Sequence, residues 1–184
     1  NTIELTDGQQ KTAQHILIAA GGVPEFPNID GIEHALSSDD MFEFEHLPKS
    51  ILIVGGGYIA CEFACIMNGL GVQTTQYYRR EQVLRGFDNE VRELVAVEMC
   101  KRGIELKCGI NVKRIKKTDE GLNILNTENA WTSFDAVMFA TGRRPNTKGL
   151  IADDLGLEFG KKGEIIVDAY SQTLVPSIFA IGDV

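Results

Sequence analysis

The stretch "ILIVGGGYIACEFA", residues 51 to 64, narrows the possible folds more than any other part of the chain. Four apolar, strand-forming residues run into three glycines, and a helix-like pattern follows without a break. Gly55-Gly56-Gly57-Tyr58-Ile59-Ala60 has the G-x-G-x-x-A spacing, in which each small residue answers a steric demand. Gly55 permits the tight turn, Gly57 lets the backbone approach a pyrophosphate, and Ala60 lets helix and strand pack closely. The new helix then offers free N–H groups and a partial positive charge to phosphate oxygens. A buried strand of this kind needs covering layers on both faces, which predicts a Rossmann-like parallel α/β sheet.

The rest of the chain punctuates consistently with that prediction. Helical spacing continues through Ile59, Phe63, Ile66 and Leu70, taken as one apolar face, until Gly69 and Gly71 stop it. "VQTTQYY" reads as a second strand, and "DNEVRELVAVEMCKRG" as a second helix that Asp88 or Asn89 can cap and Gly103 closes. "IELK" is a third strand. Residues 111–134 alternate around loop tips at 119–121 and 127–129, predicting an antiparallel meander, and "FDAVMFATG" restores a buried strand. Upstream, "HILIAAGGVPEFP" ends a strand in glycines and prolines, and a short helix in "SSDDMFEF" is open to capping by Ser37 or Ser38. "ILIAAGGVPEFP" and "VMFATGRRPN" form a weak internal repeat, the trace expected of two nucleotide-binding units that end alike. The last stretch carries a Gly-rich turn, a strand, and a final apolar strand ending at Gly182-Asp183. The expected division is 1–24 and 146–184 as two segments of one domain, 25–47 as a connection, and 48–145 as an inserted nucleotide-binding domain. A piece of a longer protein is expected.

"TTQYYRREQVLRGFD" departs from the usual pattern of such units. An Asp or Glu ordinarily closes the second strand and hydrogen-bonds a ribose 2′-hydroxyl. Here that place holds Tyr78, followed by Arg79, Arg80 and, a little later, Arg85. An acid would repel the 2′-phosphate of NADP, whereas guanidinium groups bind it bidentately. The chain's formal net charge is −8, so general basicity does not account for the cluster. That same acidity argues against nucleic acid or an anionic membrane surface as partner. No apolar run approaches the roughly 20 residues that span a bilayer. The four cysteines form no disulfide framework and no zinc-ligand spacing; they read as small buried side chains in a reducing compartment, and no metal is expected. His15, His34 and His46 are isolated and read as ordinary histidines.

With "GGGYIACEFA", "RREQVLRGFD", "MFATGRRPNTK" and "VDAYSQTLVPSIFAIGD" in view, essentially all of the chain resembles the NADPH-binding domain and adjoining FAD-domain strands of the glutathione reductases, in the flavin disulfide reductase family. The resemblance implies a reaction in which hydride passes from NADPH to FAD, then electrons to a redox cystine and on to glutathione disulfide. It implies that Gly55, Gly56, Gly57, Ile59, Glu62, Ala140 and Gly142 line the NADP(H) site, with Arg79, Arg80 and Arg85 on the 2′-phosphate side. Tyr58 matches a tyrosine that gates the nicotinamide pocket, and Glu62 an acid paired with a lysine near the flavin. Ala20, Gly21, Arg143, Gly182 and Asp183 fall on the FAD side, Asp183 matching an aspartate that hydrogen-bonds the ribitol chain. The family's C-x4-C redox pair and catalytic histidine are not in this chain; Cys61 and Cys65 are separated by three residues on the wrong helix. The chain is therefore expected to bind a pyridine nucleotide, to retain little flavin, and not to turn over glutathione disulfide by itself. The resemblance further implies a cytoplasmic, homodimeric parent, with the piece itself monomeric. The alternatives are another flavin disulfide reductase (trypanothione, mycothiol, mercuric or lipoamide type) and a nucleotide-binding module without catalysis; the missing acid at Tyr78 disfavours the lipoamide type.

Overall fold

A computed structural model describes the backbone of residues 1–184 and every side chain except that of Asp153. Its strands are β1 (Thr2–Glu4), β2 (Gln10–Thr12), β3 (Ile16–Ile18), β4 (Gly22–Pro24), β5 (Ser50–Val54), β6 (Gln73–Tyr78), β7 (Glu105–Cys108), β8 (Val112–Thr118), β9 (Gly121–Asn126), β10 (Trp131–Phe134), β11 (Ala136–Phe139), β12 (Arg143–Pro145) and β13 (Ile178–Ala180). The two α-helices are α1 (Tyr58–Gly69) and α2 (Asn89–Lys101). The chain divides into two compact units, one formed by Asn1–Val23 with Arg143–Val184, the other by Pro24–Gly142.

The Pro24–Gly142 unit is the predicted α/β fold. β11, β5, β6 and β7 lie side by side in that order, all parallel. α1 and α2 make the crossovers from β5 to β6 and from β6 to β7, as parallel neighbours require. Alternation along β5 explains the layering. Ile51 and Ile53 join Ala60, Ala64, Met67 and Met99 beneath the helices, while Leu52 and Val54 face Ile115, Ile124 and Phe134 of the meander. Ile51, Leu52 and Ile53 are wholly buried, each contributing about 1.5–3 kcal/mol of burial energy. The antiparallel meander β8–β9–β10 forms where the alternating pattern predicts it. Ser50 and Asp135 pin the starts of β5 and β11: Ser50 N–H donates to Asp135 Oδ2 at 2.8 Å, and Asp135 N–H to Ser50 Oγ at 3.1 Å.

Three expectations need correction. The face of α1 that packs is Ala60, Cys61, Phe63, Ala64 and Met67; Ile66 and Leu70 stand more than half out in solvent or at that level. Small residues win the inner face because the helix starts close to the sheet: Ala60 Cβ lies 3.2 Å from where a Gly55 Cβ would stand. The cysteines are not all buried either. Cys61 is, but Cys65 and Cys100 are exposed and Cys108 is half-buried. Finally, "GEIIV" forms no ladder; its one pairing is an isolated bridge between Phe159 and Ile165.

Residues 25–47, expected as a connection, are anchored within the Pro24–Gly142 unit. Leu36 N–H donates to Val137 O at 2.8 Å and Leu36 O accepts from Phe139 N–H at 2.9 Å, and Met41 is buried in the helix-side core. The expected cap by Ser37 or Ser38 is not what forms: the N-cap of the short 3-10 helix Asp40–Phe42 is Asp39, without a side-chain cap bond, and Ser37 braces the turn before it. Its N–H and hydroxyl both donate to Asp40 Oδ2 (2.7 and 2.6 Å), and its oxygen accepts from Asp39 N–H at 3.2 Å. Asp88 caps α2, accepting from Glu90 N–H at 3.0 Å and Val91 N–H at 3.4 Å.

The unit of Asn1–Val23 and Arg143–Val184 holds three two-stranded ladders: the β1–β2 hairpin, parallel β3–β13, and β4–β12. The last of these joins the two halves of the internal repeat to each other. No helix of the described residues is long and apolar enough to cross a membrane.

Candidate functional site

All four parallel strands of the larger unit run toward one rim, where Val54, Tyr78, Cys108 and Phe139 end them. From β5 the chain crosses to β6 on one side, while β11 lies on the other. Such a reversal opens a crevice beyond the strand ends, the usual ligand position in open α/β sheets.

The three glycines at this rim have different tasks. Gly55 adopts φ 144°, and a Cβ there would fall on the Ala140 carbonyl oxygen. At Gly56 a Cβ would enter the ring of Tyr78. Gly57 is exposed, has ordinary φ −80°, and a Cβ there would meet nothing within 4 Å. The first two glycines are thus required by the protein's own packing, and the third leaves open space. Gly57 is also the N-cap of α1, with no side chain bonded to the helix's first N–H groups and no acid in the first turn. Those donors and the helix dipole suit an anion, and the space over Gly57 is where a pyrophosphate would fit.

Gln76, buried in β6, ties this turn to the sheet through Nε2, which donates to Gly55 O at 2.9 Å. Its Oε1 is buried with no partner among the described residues. Nε2 also approaches Cys61 Sγ at 3.6 Å; burial pushes that thiol's pKa up, holding it as a thiol. Sequence reasoning passed over Gln76, although a glutamine between Thr75 and Tyr77 in a buried parallel strand is a signal in itself.

The place of the expected acid is filled by the half-buried ring of Tyr78, lying against Gly56. Arg79 and Arg80 follow it, exposed, and Arg85 is exposed further along the same loop. Leu84 N–H donates to Gly56 O at 2.6 Å, which holds the loop against the glycine turn immediately before Arg85. Among the described residues none of these three arginines has an ion pair or a side-chain hydrogen bond. Three cations beside a helix N-terminus are therefore uncommitted. Tyr58 opens α1 and is 57% exposed, and Glu62 is exposed one turn later on the same face. Ile59 is half-buried. Ala140 and Gly142 follow β11, Gly142 N-terminal to β12 with its carbonyl accepting from Glu25 N–H at 2.9 Å.

In the smaller unit the predicted residues gather at the ends of β3 and β13. Asn146 N–H donates to Gly21 O at 2.8 Å and Asn146 Nδ2 to Ala20 O at 3.4 Å. Arg143 Nη2 donates to Gly22 O at 2.5 Å. A Cβ on Gly22 would lie 3.5 Å from Asp183 Cβ and 3.7 Å from Arg143 Nε. Gly182, at φ 76°, turns the chain just before Asp183. The histidines sit apart, His15 edge-on to Phe179 and His34 beside Glu33. Among the described residues no three His, Cys, Asp or Glu side chains are grouped to hold a metal.

A family model described as pyridine nucleotide-disulphide oxidoreductase matches residues 1–184. The chain is 44% identical over 184 residues to a glutathione reductase of Burkholderia cepacia, covering all of this chain and 41% of that protein. It is 47% identical over 178 residues to a chloroplastic/mitochondrial glutathione reductase of Pisum sativum, covering 96% and 32% respectively. A trypanothione reductase of Trypanosoma congolense is 40% identical over 176 residues, covering 94% and 36%. The chain thus spans less than half the length of these relatives. Among solved structures, the HOCl-induced flavoprotein disulfide reductase RclA of Escherichia coli superposes with TM-score 0.92 at 25% identity, over 99% of this chain and 42% of that one. An engineered water-forming NADPH oxidase, bound to NADPH, superposes with TM-score 0.85 at 27% identity, over 99% and 42%.

Proposed function

The chain belongs to the pyridine nucleotide-disulphide oxidoreductase family, and we propose that it is the NADPH-binding portion, with flanking FAD-binding segments, of an FAD-dependent disulfide reductase acting on glutathione disulfide. In this reading residues 48–145 bind the pyridine nucleotide, 25–47 connect, and 1–24 with 146–184 belong to the FAD-binding domain. The observation that carries it is the uncommitted pair Arg79 and Arg85, on a loop bonded to the glycine turn, where an NAD-type site would present an acid.

The spacing within the engineered NADPH oxidase supports the cofactor choice. That protein carries five substitutions: glycine to alanine, aspartate to alanine, alanine to arginine, methionine to serine and proline to arginine, at successive intervals of 18, 1, 1 and 5 residues. The same intervals separate Ala60, Tyr78, Arg79, Arg80 and Arg85. Alanine, the absent acid and two arginines coincide. Arg80 stands where that protein has serine, so Arg79 and Arg85 are assigned the 2′-phosphate and Arg80 a secondary role.

The remaining roles are those that the family resemblance implies for residues at these positions. The α1 N-terminus over Gly57 takes the pyrophosphate. The exposed Tyr58 ring covers the nicotinamide pocket and moves aside for NADPH, keeping water out otherwise. Glu62 places a carboxylate on the same face. Asp183 accepts a hydrogen bond from a ribitol hydroxyl, with Ala20, Gly21, Arg143 and Gly182 shaping the turn around it. FAD, when bound, supplies the two-electron relay between a nicotinamide and a disulfide. A cytoplasmic, homodimeric parent belongs to this proposed reading, as the family resemblance implies. The test is NADPH oxidation by the full-length protein that carries this chain, offered glutathione disulfide and trypanothione disulfide separately. Turnover with glutathione disulfide is expected; turnover with trypanothione disulfide alone, or with neither, overturns the assignment.

A further inference from the structure

Arg92 is the fourth residue of α2, and its side chain reaches back out of the helix. Nε donates to Val83 O at 2.8 Å and Nη2 to Gln82 O at 3.0 Å, while Nη1 reaches Asn89 Oδ1 at 2.9 Å. The two carbonyls are consecutive and lie between Arg80 and Arg85. A planar guanidinium can grip both in one plane; an ammonium cannot match that geometry.

The gripped segment is not relaxed. Leu84 sits at φ 56°, in the left-handed region, with its side chain buried. A Leu holds that conformation only where its surroundings impose it. Three further bonds impose it here: Leu84 N–H to Gly56 O at 2.6 Å, Phe87 N–H to Leu84 O at 3.1 Å, and Gly109 N–H to Arg80 O at 3.0 Å. Among the described residues, Arg92 is the one side chain whose donors close this set from the helix side.

We propose that Arg92 is a positioning residue for NADPH selectivity: it fixes residues 82–85 so that Arg85 is presented, already ordered, to the 2′-phosphate. The inference rests on the reading of Arg79 and Arg85 given above. Without Arg92 the ligand itself must order the loop, and the lost freedom is subtracted from its affinity. NADH, which lacks the phosphate, makes no demand on the loop and is indifferent to its order.

The test compares KM and kcat for NADPH and NADH in the full-length enzyme carrying Arg92→Met, Arg92→Lys or Arg85→Met. Arg92→Met is expected to raise the KM for NADPH about tenfold, leaving kcat and the NADH constants within about twofold. Arg92→Lys should recover only part of the loss. An unchanged ratio of NADPH to NADH constants, or an equal rise for both, overturns the inference, since a merely structural role would weaken both alike. The Arg85→Met arm separates the layers. If it leaves the ratio unchanged, the arginine reading falls and this inference with it. If it shifts the ratio while Arg92→Met does not, this inference alone falls.

Discussion

Three adjacent glycines that look interchangeable in sequence are held in place by different forces. Gly55 is constrained by conformation and by the Ala140 carbonyl, Gly56 by the ring of Tyr78, and Gly57 by no neighbour at all. Stability and binding should therefore separate when they are replaced. Gly55→Ala forces a side chain into a strained φ and a backbone clash, costing about 1–3 kcal/mol or more in denaturant unfolding. Gly57→Ala should leave stability within about 1 kcal/mol yet weaken NADPH binding, because its new methyl fills the space a pyrophosphate would occupy. Equal losses of stability in the two variants, or full binding by Gly57→Ala, would contradict this division. Residue-scale legibility was uneven for the same reason. The motif spacing gave the glycines away, because their constraint is local. Nothing local marked Arg92, and the polar Gln76 in a buried strand signalled a partner without identifying it, because the groups that both residues bond lie in another element.

Among the elements, those with end signals written into adjacent residues were readable in advance. Asp88 caps α2, and the meander turns at the loop tips read from the alternating pattern. The face of α1 was misread because spacing alone does not distinguish the side that meets the sheet. Close approach there demands Ala60 and Ala64, and pushes Ile66 and Leu70 onto the side bearing Tyr58 and Glu62. The Ser37 turn also carries a pH signature. Hydrogen bonds from the Ser37 hydroxyl and N–H hold the Asp40 carboxyl below its ordinary value of 3.8. A depressed carboxylate stabilises the fold at pH values above that ordinary value and loses its contribution as pH falls through the folded pKa. The stability gap between the unaltered protein and Asp40→Asn, measured by urea unfolding, should be full at neutral pH and close in acid. A gap that stays constant down to strongly acid pH would show that the carboxylate is not the stabilising form.

For the molecule as a whole, the order β11-β5-β6-β7 brings together at one rim residues that the sequence scatters from Gly55 to Gly142. That the sheet is parallel was legible, because strand–helix alternation points to crossover units; the place of β11 beside β5 was not, since no residue near it signals its neighbour. The substrate was not, since the chain spans 41% or less of the relatives it matches. What the rim does decide is electrostatic: cations in place of an acid at the end of β6. Two charge-assisted hydrogen-bonded contacts, at roughly 1.5–3 kcal/mol each, favour a 2′-phosphate by about 100-fold or more. Calorimetric titration of the protein with NADPH and with NADH, side by side at low ionic strength, tests that claim most directly. The account predicts NADPH the tighter ligand by about 100-fold or more; affinities within about twofold of each other would contradict it.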